Sequence, residues 1–145
     1  NRELSTIPND YVTVFFGVFD QESHSFGYAS GGHPPLILHR RSTGEVLKLE
    51  SQATFLGYFD PVEFSSDTIK LEKGDRILFY TDGLFESSPD EKEEFGMERV
   101  IQLINKHSEK PIQELIDILQ SELTAFMDGK YFDDDVTMVG LDILI

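Results

Sequence analysis

Cysteine is absent from this 145-residue sequence, and its absence removes several classes of chemistry. Without a thiol the chain can form no disulfide, supply no cysteine nucleophile to a phosphatase or protease, and bind no zinc through sulfur. A chain without cysteine also fits a cytoplasmic location, where disulfides are rare. Any catalysis must therefore rest on other side chains or on bound ions.

Positive charge and long apolar runs are also scarce. The chain has 12 Lys and Arg against 27 Asp and Glu, which gives a formal net charge of −15. No basic cluster could release counterions from a phosphate backbone, which argues against nucleic acid and anionic membrane surfaces as partners. No apolar run approaches the roughly 18 residues that span a bilayer, and no signal peptide is visible. Solubility accounts for most of this acidity, and the functional interpretation is that some carboxylates bind a metal.

The residues that are present suit one packed domain, because 39% are hydrophobic and 12 are Phe. The first residue is Asn1 rather than Met, which predicts a piece of a longer chain. Residues 11–20 and 76–81 are apolar on both faces, so we expect both strands to be central in their sheets. The full order is mostly strands, then two helices, then a strand, which favours an α+β fold with antiparallel sheet. The other predicted elements are strands at 25–30, 36–40, 45–49, 64–71 and 136–144, and helices near 97–104 and 112–127.

Asp82 stands where the apolar strand 76–81 ends, immediately before Gly83. A buried strand would fix the position of the carboxylate. A glycine lets the backbone turn sharply and leaves room beside it for an ion or water. The alternative is an ordinary Asp-Gly turn.

Three adjacent carboxylates, Asp133, Asp134 and Asp135, precede Thr137 and lead into the last predicted strand. Adjacent carboxylates repel one another unless solvent or a cation neutralises them. Hard oxygen ligands of this kind suit magnesium or manganese. The alternative is a solvated acidic loop.

His33 lies in a Gly-Gly-His-Pro-Pro run that predicts an irregular loop. A functional interpretation makes His33 a metal ligand or proton donor. A structural interpretation makes it a hydrogen-bonded loop residue.

Taken together, these segments resemble the SpoIIE/RsbU-like phosphatases of the metal-dependent PPM class, which is related to eukaryotic type 2C phosphatases. Residues 30–35 (SGGHPP) resemble the family's AGHxP motif, and residues 74–84 (GDRILFYTDGL) resemble its GDxLxxYTDGL signature. Residues 134–137 (DDVT) match its terminal DDxT, and shorter matches are FLG at 55–57, Glu86 and FG at 95–96. The resemblance covers essentially the whole chain in the right order, and its specific part is the pairing of YTDG with DDxT.

The resemblance implies an antiparallel β-sandwich flanked by helices, with two manganese or magnesium ions between the sheets. It implies that Asp82 and Asp134 bind one shared ion and that metal-activated water, rather than a side chain, attacks phosphoserine or phosphothreonine. Gly83, Asp135, Thr137 and His33 would lie around that site as supporting or additional ligands. The implied substrate is a phosphorylated anti-sigma-factor antagonist in bacterial signalling.

One motif of the family is missing, namely an N-terminal Asp closely followed by Gly that bridges both ions. We therefore expect residues 1–145 to be a single partial domain that lacks its N-terminal portion and binds metal weakly or not at all. The alternative is a degenerate interaction module without catalysis. Two further interpretations fit poorly. The D-x-D-x-T pattern at 133–137 lies too late in the chain for a haloacid dehalogenase-type phosphatase, and no EF-hand loop is present.

Overall fold

The computed structural model describes residues 12–50, 55–57, 64–90 and 92–145. The chain divides into two compact units. The first unit comprises residues 1–35, 48–73 and 145, and the second comprises residues 36–47 and 74–144. In chain order the elements are β1 (Val14–Asp20), β2 (Ser25–Gly31), β3 (Leu36–Arg40), β4 (Glu45–Leu49), β5 (Asp67–Lys70), β6 (Arg76–Tyr80), α1 (Gly83–Glu86), α2 (Met97–Lys106), α3 (Ile112–Phe126) and β7 (Met138–Asp142).

The first unit contains a three-stranded antiparallel sheet in the order β1-β2-β5. The turn between β1 and β2 is held by the Asp20 carboxylate, which accepts hydrogen bonds from the backbone amides of Glu22 and Ser23, both at 2.9 Å. Gly17 of β1 lies against the Phe26 ring, since a Cβ there would be 2.4 Å from a ring carbon. The sheet is thus built from one tight hairpin and a third strand.

The prediction that strand 11–20 is central is wrong for the part that the structure describes. In its sheet, β1 is an edge strand that pairs with β2 alone among the described residues, although Val12 and Val14 form isolated bridges to Leu56 and Gly32. Phe16 is 66% exposed and Val18 is 55% exposed. The sequence shows that a strand has two apolar faces, but it does not show that the chain supplies a cover for both. Tyr11, the first residue of the predicted strand, lies outside the described residues.

The second unit contains a four-stranded sheet in the order β4-β3-β6-β7, apart from the last two residues of β4. β6 lies between β3 and β7 and pairs antiparallel with both, so that Leu78 faces Ile37 on one side and Gly140 on the other. Apart from the half-buried Phe79, every residue of β6 is buried. The prediction of a central strand at 76–81 is therefore confirmed, with the strand ending one residue earlier.

The helices α2 and α3 belong to the same unit, and their apolar faces are buried. Gly140 lets α3 approach β7 closely, because a Cβ there would lie 2.3 Å from the side chain of Ile112. The core joins Ile37, Leu78 and Tyr80 of the sheet to the helices, with Leu84, Phe95, Val100, Leu103, Ile104, Leu115, Leu119 and Leu123. Two antiparallel sheets with helices confirm the α+β class. Among the described residues, no helix has the length and apolar character needed to cross a membrane.

Candidate metal centre

Asp82 lies two residues beyond the end of β6 and caps the short helix α1. The side chains on either side of it, Tyr80 and Leu84, are 3% and 0% exposed, so buried anchors fix the backbone at Asp82. Its carboxylate accepts a hydrogen bond from the Gly83 amide at 3.1 Å. Because this contact is local, the carboxylate keeps further oxygen lone pairs for another ligand. The helix α1 was not predicted, since four residues carry too little periodicity to reveal it.

Thr81 fastens the acidic segment to the end of β6. Its hydroxyl donates a hydrogen bond to the Asp135 carbonyl at 2.7 Å and accepts one from the Thr137 amide at 2.9 Å. Its backbone amide also donates to the Thr137 carbonyl at 3.1 Å. These three bonds, which we call the Thr81 clip, join two segments that lie more than fifty residues apart in sequence. Sequence reasoning missed the role of Thr81, although a hydroxyl directly before the candidate ligand was the available signal.

Gly83 allows this contact to be close. A Cβ at Gly83 would lie 2.8 Å from the Asp135 carbonyl oxygen and 3.2 Å from its carbon. Both are backbone atoms, which cannot move aside as a flexible side chain can. Part of the space that the sequence predicted beside Gly83 is therefore taken by the backbone of Asp135.

The acidic segment itself is exposed at Asp133, Asp134 and Asp135. The Asp134 carboxylate accepts a hydrogen bond from the Asp135 amide at 2.7 Å, which orients it. Asp135 and Thr137 take part in the Thr81 clip through their backbone atoms. The structure thus brings Asp82, Gly83, Asp135 and Thr137 together, with Asp134 next to them in the chain.

The pKa of Glu86 reflects partial burial and the negative charge that surrounds the candidate site. Its pKa is raised, first by partial burial and then by the negative charges of Asp82, Glu94 and Asp134. The carboxylates of Asp82 and Asp134 therefore both act on the same side chain. Such an accumulation of negative charge favours a hard divalent cation. Sequence reasoning included Glu86 only through the family resemblance and missed Glu94, which lies in an acidic run with no distinguishing spacing.

The number of ligands is small. Among the described residues, no group of three or more His, Asp and Glu side chains is placed to hold a metal ion. Carboxylates can shift the pKa of Glu86 from a distance, whereas metal ligands must place their oxygens about 2.0–2.6 Å from the ion. The donor chemistry therefore fits magnesium or manganese, but the described residues supply only part of a coordination shell.

His33 belongs to the first unit. Its Nδ1 lies 2.8 Å from the Pro34 carbonyl oxygen, and since a carbonyl can only accept, Nδ1 carries the hydrogen. The ring also makes an edge contact with Phe15, with centroids 6.0 Å apart. His33 is thus a hydrogen-bonded loop residue. Its role as a metal ligand stays a prediction.

Comparison with known proteins gives a consistent result. The family model described as Stage II sporulation protein E (SpoIIE) matches residues 1–144. The chain is 30% identical over 131 residues to Protein IcfG of Synechocystis sp., covering 90% of this chain and 20% of that protein. It is 28% identical over 131 residues to phosphoserine phosphatase RsbU of Bacillus subtilis, covering 89% of this chain and 38% of that protein. The chain therefore spans well under half the length of these relatives.

Solved structures agree on the fold. The SiaA-PP2C domain of Pseudomonas aeruginosa superposes with a TM-score of 0.80 at 17% identity, covering 96% of this chain and 54% of that one. The RsbU and RsbW domains of Rv1364c from Mycobacterium tuberculosis superpose with a TM-score of 0.74 at 27% identity, covering 97% of this chain and 39% of that one. The manganese-presoaked phosphatase domain of SpoIIE from Bacillus subtilis superposes with a TM-score of 0.71 at 22% identity, covering 100% of this chain and 63% of that one. The expected PPM-type fold is confirmed, and in each case the chain matches only part of the compared structure.

Proposed function

Since this chain belongs to the SpoIIE family, we propose that it forms part of a PPM-type domain that hydrolyses phosphoserine or phosphothreonine on a regulatory protein. The observation that carries the proposal is the Thr81 clip, which holds the segment after β6 against the segment before β7. These are the two segments that supply Asp82 and Asp134. An acidic loop that only contacts solvent would not require Gly83 and Thr81, which hold the backbone of Asp135 close to the end of β6.

Asp82 and Asp134 would hold one manganese or magnesium ion in this proposal. Asp82 is positioned by β6 and α1, and Asp134 by its bond from the Asp135 amide. An ion of this class, when bound, activates water and screens the charge of a phosphate. The remaining coordination positions fall to water and to residues beyond those that the structure describes, and the complete domain would hold two ions.

The charge of the chain supports a need for such ions. At −15 the chain repels a phosphorylated residue, which itself carries about −1.5 to −2 charges near neutral pH. Cations at Asp82 and Asp134 would reverse this repulsion where the phosphate must approach. Bound metal would therefore reconcile the acidity of the chain with a phosphorylated substrate.

The finer proposal concerns the substrate. Relatives of this chain include two proteins named phosphoserine phosphatases, RsbU and RsbP of Bacillus subtilis. From the family resemblance, we propose that the substrate is a phosphorylated anti-sigma-factor antagonist in the cytoplasm. A second candidate is an interaction module without catalysis, and the small number of ligands in the described residues favours it.

The two candidates differ in one assay. The full-length protein that contains residues 1–145 is tested for phosphate release from a phosphoserine protein, with manganese and then with a chelator. The phosphatase proposal expects turnover that manganese restores after chelation, and little turnover from residues 1–145 alone. A full-length protein that is folded, binds manganese and releases no phosphate would support the interaction module instead.

A further inference from the structure

A groove lies beside the candidate metal centre, within the second unit. Its volume is about 540 Å³, a size that suits a bound ligand. One wall is a stripe of α3 and the other is the segment 132–138 that leads into β7. The residues that define it are Ile116, Gln120, Leu123 and Thr124 on α3, and Phe132 and Asp134 opposite.

The groove has an apolar floor and a polar rim. Leu123 is 1% exposed and forms part of the floor, while Gln120 and Thr124 on the same helix face are exposed at the rim. Phe132, on the opposite wall, is 41% exposed. An apolar side chain entering the groove would cover this aromatic ring and gain burial.

The charge of the lining restricts what can enter. Asp134 and Asp135 line the groove, and the described residues of its lining include no Lys or Arg. An acidic side chain would therefore be repelled, whereas an apolar or basic one would not.

We propose that this groove binds the segment of the substrate protein that flanks its phosphorylated serine, and that it selects an apolar side chain at one flanking position. The inference rests on the proposed function, because Asp134 is both a wall of the groove and a proposed metal ligand. A phosphoserine at the ion that Asp134 would hold would leave its neighbouring residues at the end of the groove. The groove thus determines substrate specificity, separately from the chemistry at the metal.

Thr124 offers a test with a matched control on the same helix. Thr124 and Ser121 are both exposed, and each hydroxyl donates to the carbonyl four residues earlier, at 2.7 Å. Thr124 lines the groove, whereas Ser121 is not part of its lining. Thr124→Trp would fill the groove, and Ser121→Trp would place the same side chain elsewhere on α3.

The experiment uses the full-length protein with manganese and two probes, which are a phosphoserine peptide library randomised on both sides and p-nitrophenyl phosphate. The parent protein should favour peptides with an apolar residue at one flanking position and disfavour Asp and Glu there. Thr124→Trp should lose that preference and lower kcat/KM for the favoured peptides about tenfold, while p-nitrophenyl phosphate hydrolysis stays within about twofold. Ser121→Trp should match the parent protein on both probes.

The outcomes separate this inference from the proposed function. Failure of the parent protein to hydrolyse either probe would refute the proposed function and the inference with it. Hydrolysis of p-nitrophenyl phosphate without positional preference among peptides would refute the groove alone. The groove proposal alone would also be refuted if Thr124→Trp kept the peptide preference. It would likewise be refuted if Thr124→Trp, while folded by circular dichroism, hydrolysed both probes more slowly by the same factor.

Discussion

Thr81→Val tests how the two halves of the candidate site are held together. Valine has nearly the shape of threonine but lacks the hydroxyl, so two of the three bonds of the Thr81 clip are lost and the backbone bond to Thr137 remains. A hydrogen bond of this kind contributes about 0.5–1.5 kcal/mol net. Because Asp135 and Thr137 are exposed, water can replace the lost partners, which limits the expected loss to about 1–2 kcal/mol.

The assay is urea unfolding followed by circular dichroism. The midpoint should fall with an unchanged slope, and the melting temperature should drop by about 3–6 °C for a domain of this size. Thr81→Ser keeps the hydroxyl and should lie within about 0.5 kcal/mol of the parent protein. Hydrogen exchange adds a local readout, since the Thr137 amide should exchange faster in Thr81→Val than in Thr81→Ser.

Two results would refute this reasoning. One is a Thr81→Val protein as stable as the parent, which would mean that the clip contributes nothing. The other is an equal loss in Thr81→Ser, which would mean that replacing Thr81 destabilises the protein even when the hydroxyl is kept.

Three further predictions concern stability in urea. Gly83→Ala should lower the free energy of unfolding by about 1–3 kcal/mol, because its Cβ would lie 2.8 Å from a backbone oxygen. Gly27→Ala is the control and should lower it by less than about 1 kcal/mol, because the nearest contact of its Cβ is at 3.8 Å. Similar losses in the two variants would contradict the steric argument. Asp142→Ala should lower the free energy of unfolding by about 2–3 kcal/mol, because it leaves the Arg76 guanidinium, which is 2% exposed, without the carboxylate 2.7 Å away. Arg76→Met removes the buried charge itself and should cost less, and the reverse order would contradict this argument. Burial, and then the charge of Arg76, lower the pKa of His39 below 6.5, so below that pH the unfolded chain binds a proton that the native state does not. Stability should therefore fall as pH drops from 6.5 toward the native pKa, by at most about 1.4 kcal/mol per pH unit, and His39→Gln should flatten that slope.

The strands and helices of the second unit were largely predictable because their patterns are strong and local. The predicted strands at 36–40 and 45–49 have the bounds of β3 and β4, and the two predicted helices start where α2 and α3 start. In the first unit, the strand predicted at 64–71 is shorter in the structure, at Asp67–Lys70. Strand ends depend on which neighbours are available for pairing, and the sequence of one strand does not contain that information.

The position of β1 in its sheet could not be predicted for a related reason. Its apolar residues on both faces indicated burial on both, yet Phe16 and Val18 are exposed. Whether an apolar face is covered depends on tertiary partners, and a pattern within seven residues cannot name them.

For the candidate site, the sequence named residues but not their arrangement, and the role of those residues as metal ligands stays a prediction. Asp82 and Asp134 follow from their place next to strands and from the family motifs. The Thr81 clip and the approach of Gly83 to Asp135 depend on how β6 and β7 pair, which sets residue against residue across the sheet. The influence of Glu94 on Glu86 likewise arises from the loop between α1 and α2, which carries no periodic pattern.

The central claim is that Asp82 and Asp134 bind one shared cation, and a double-mutant cycle on manganese affinity tests it most directly. Calorimetric titration of the full-length protein would compare the parent with Asp82→Asn, Asp134→Asn and the double variant. Asp117→Asn, on the exposed face of α3, serves as the charge-matched control. A shared ion predicts that each single variant loses the same binding event and that the double variant loses little more. Additive losses, or single variants that bind manganese as the parent and the control do, would contradict the shared site.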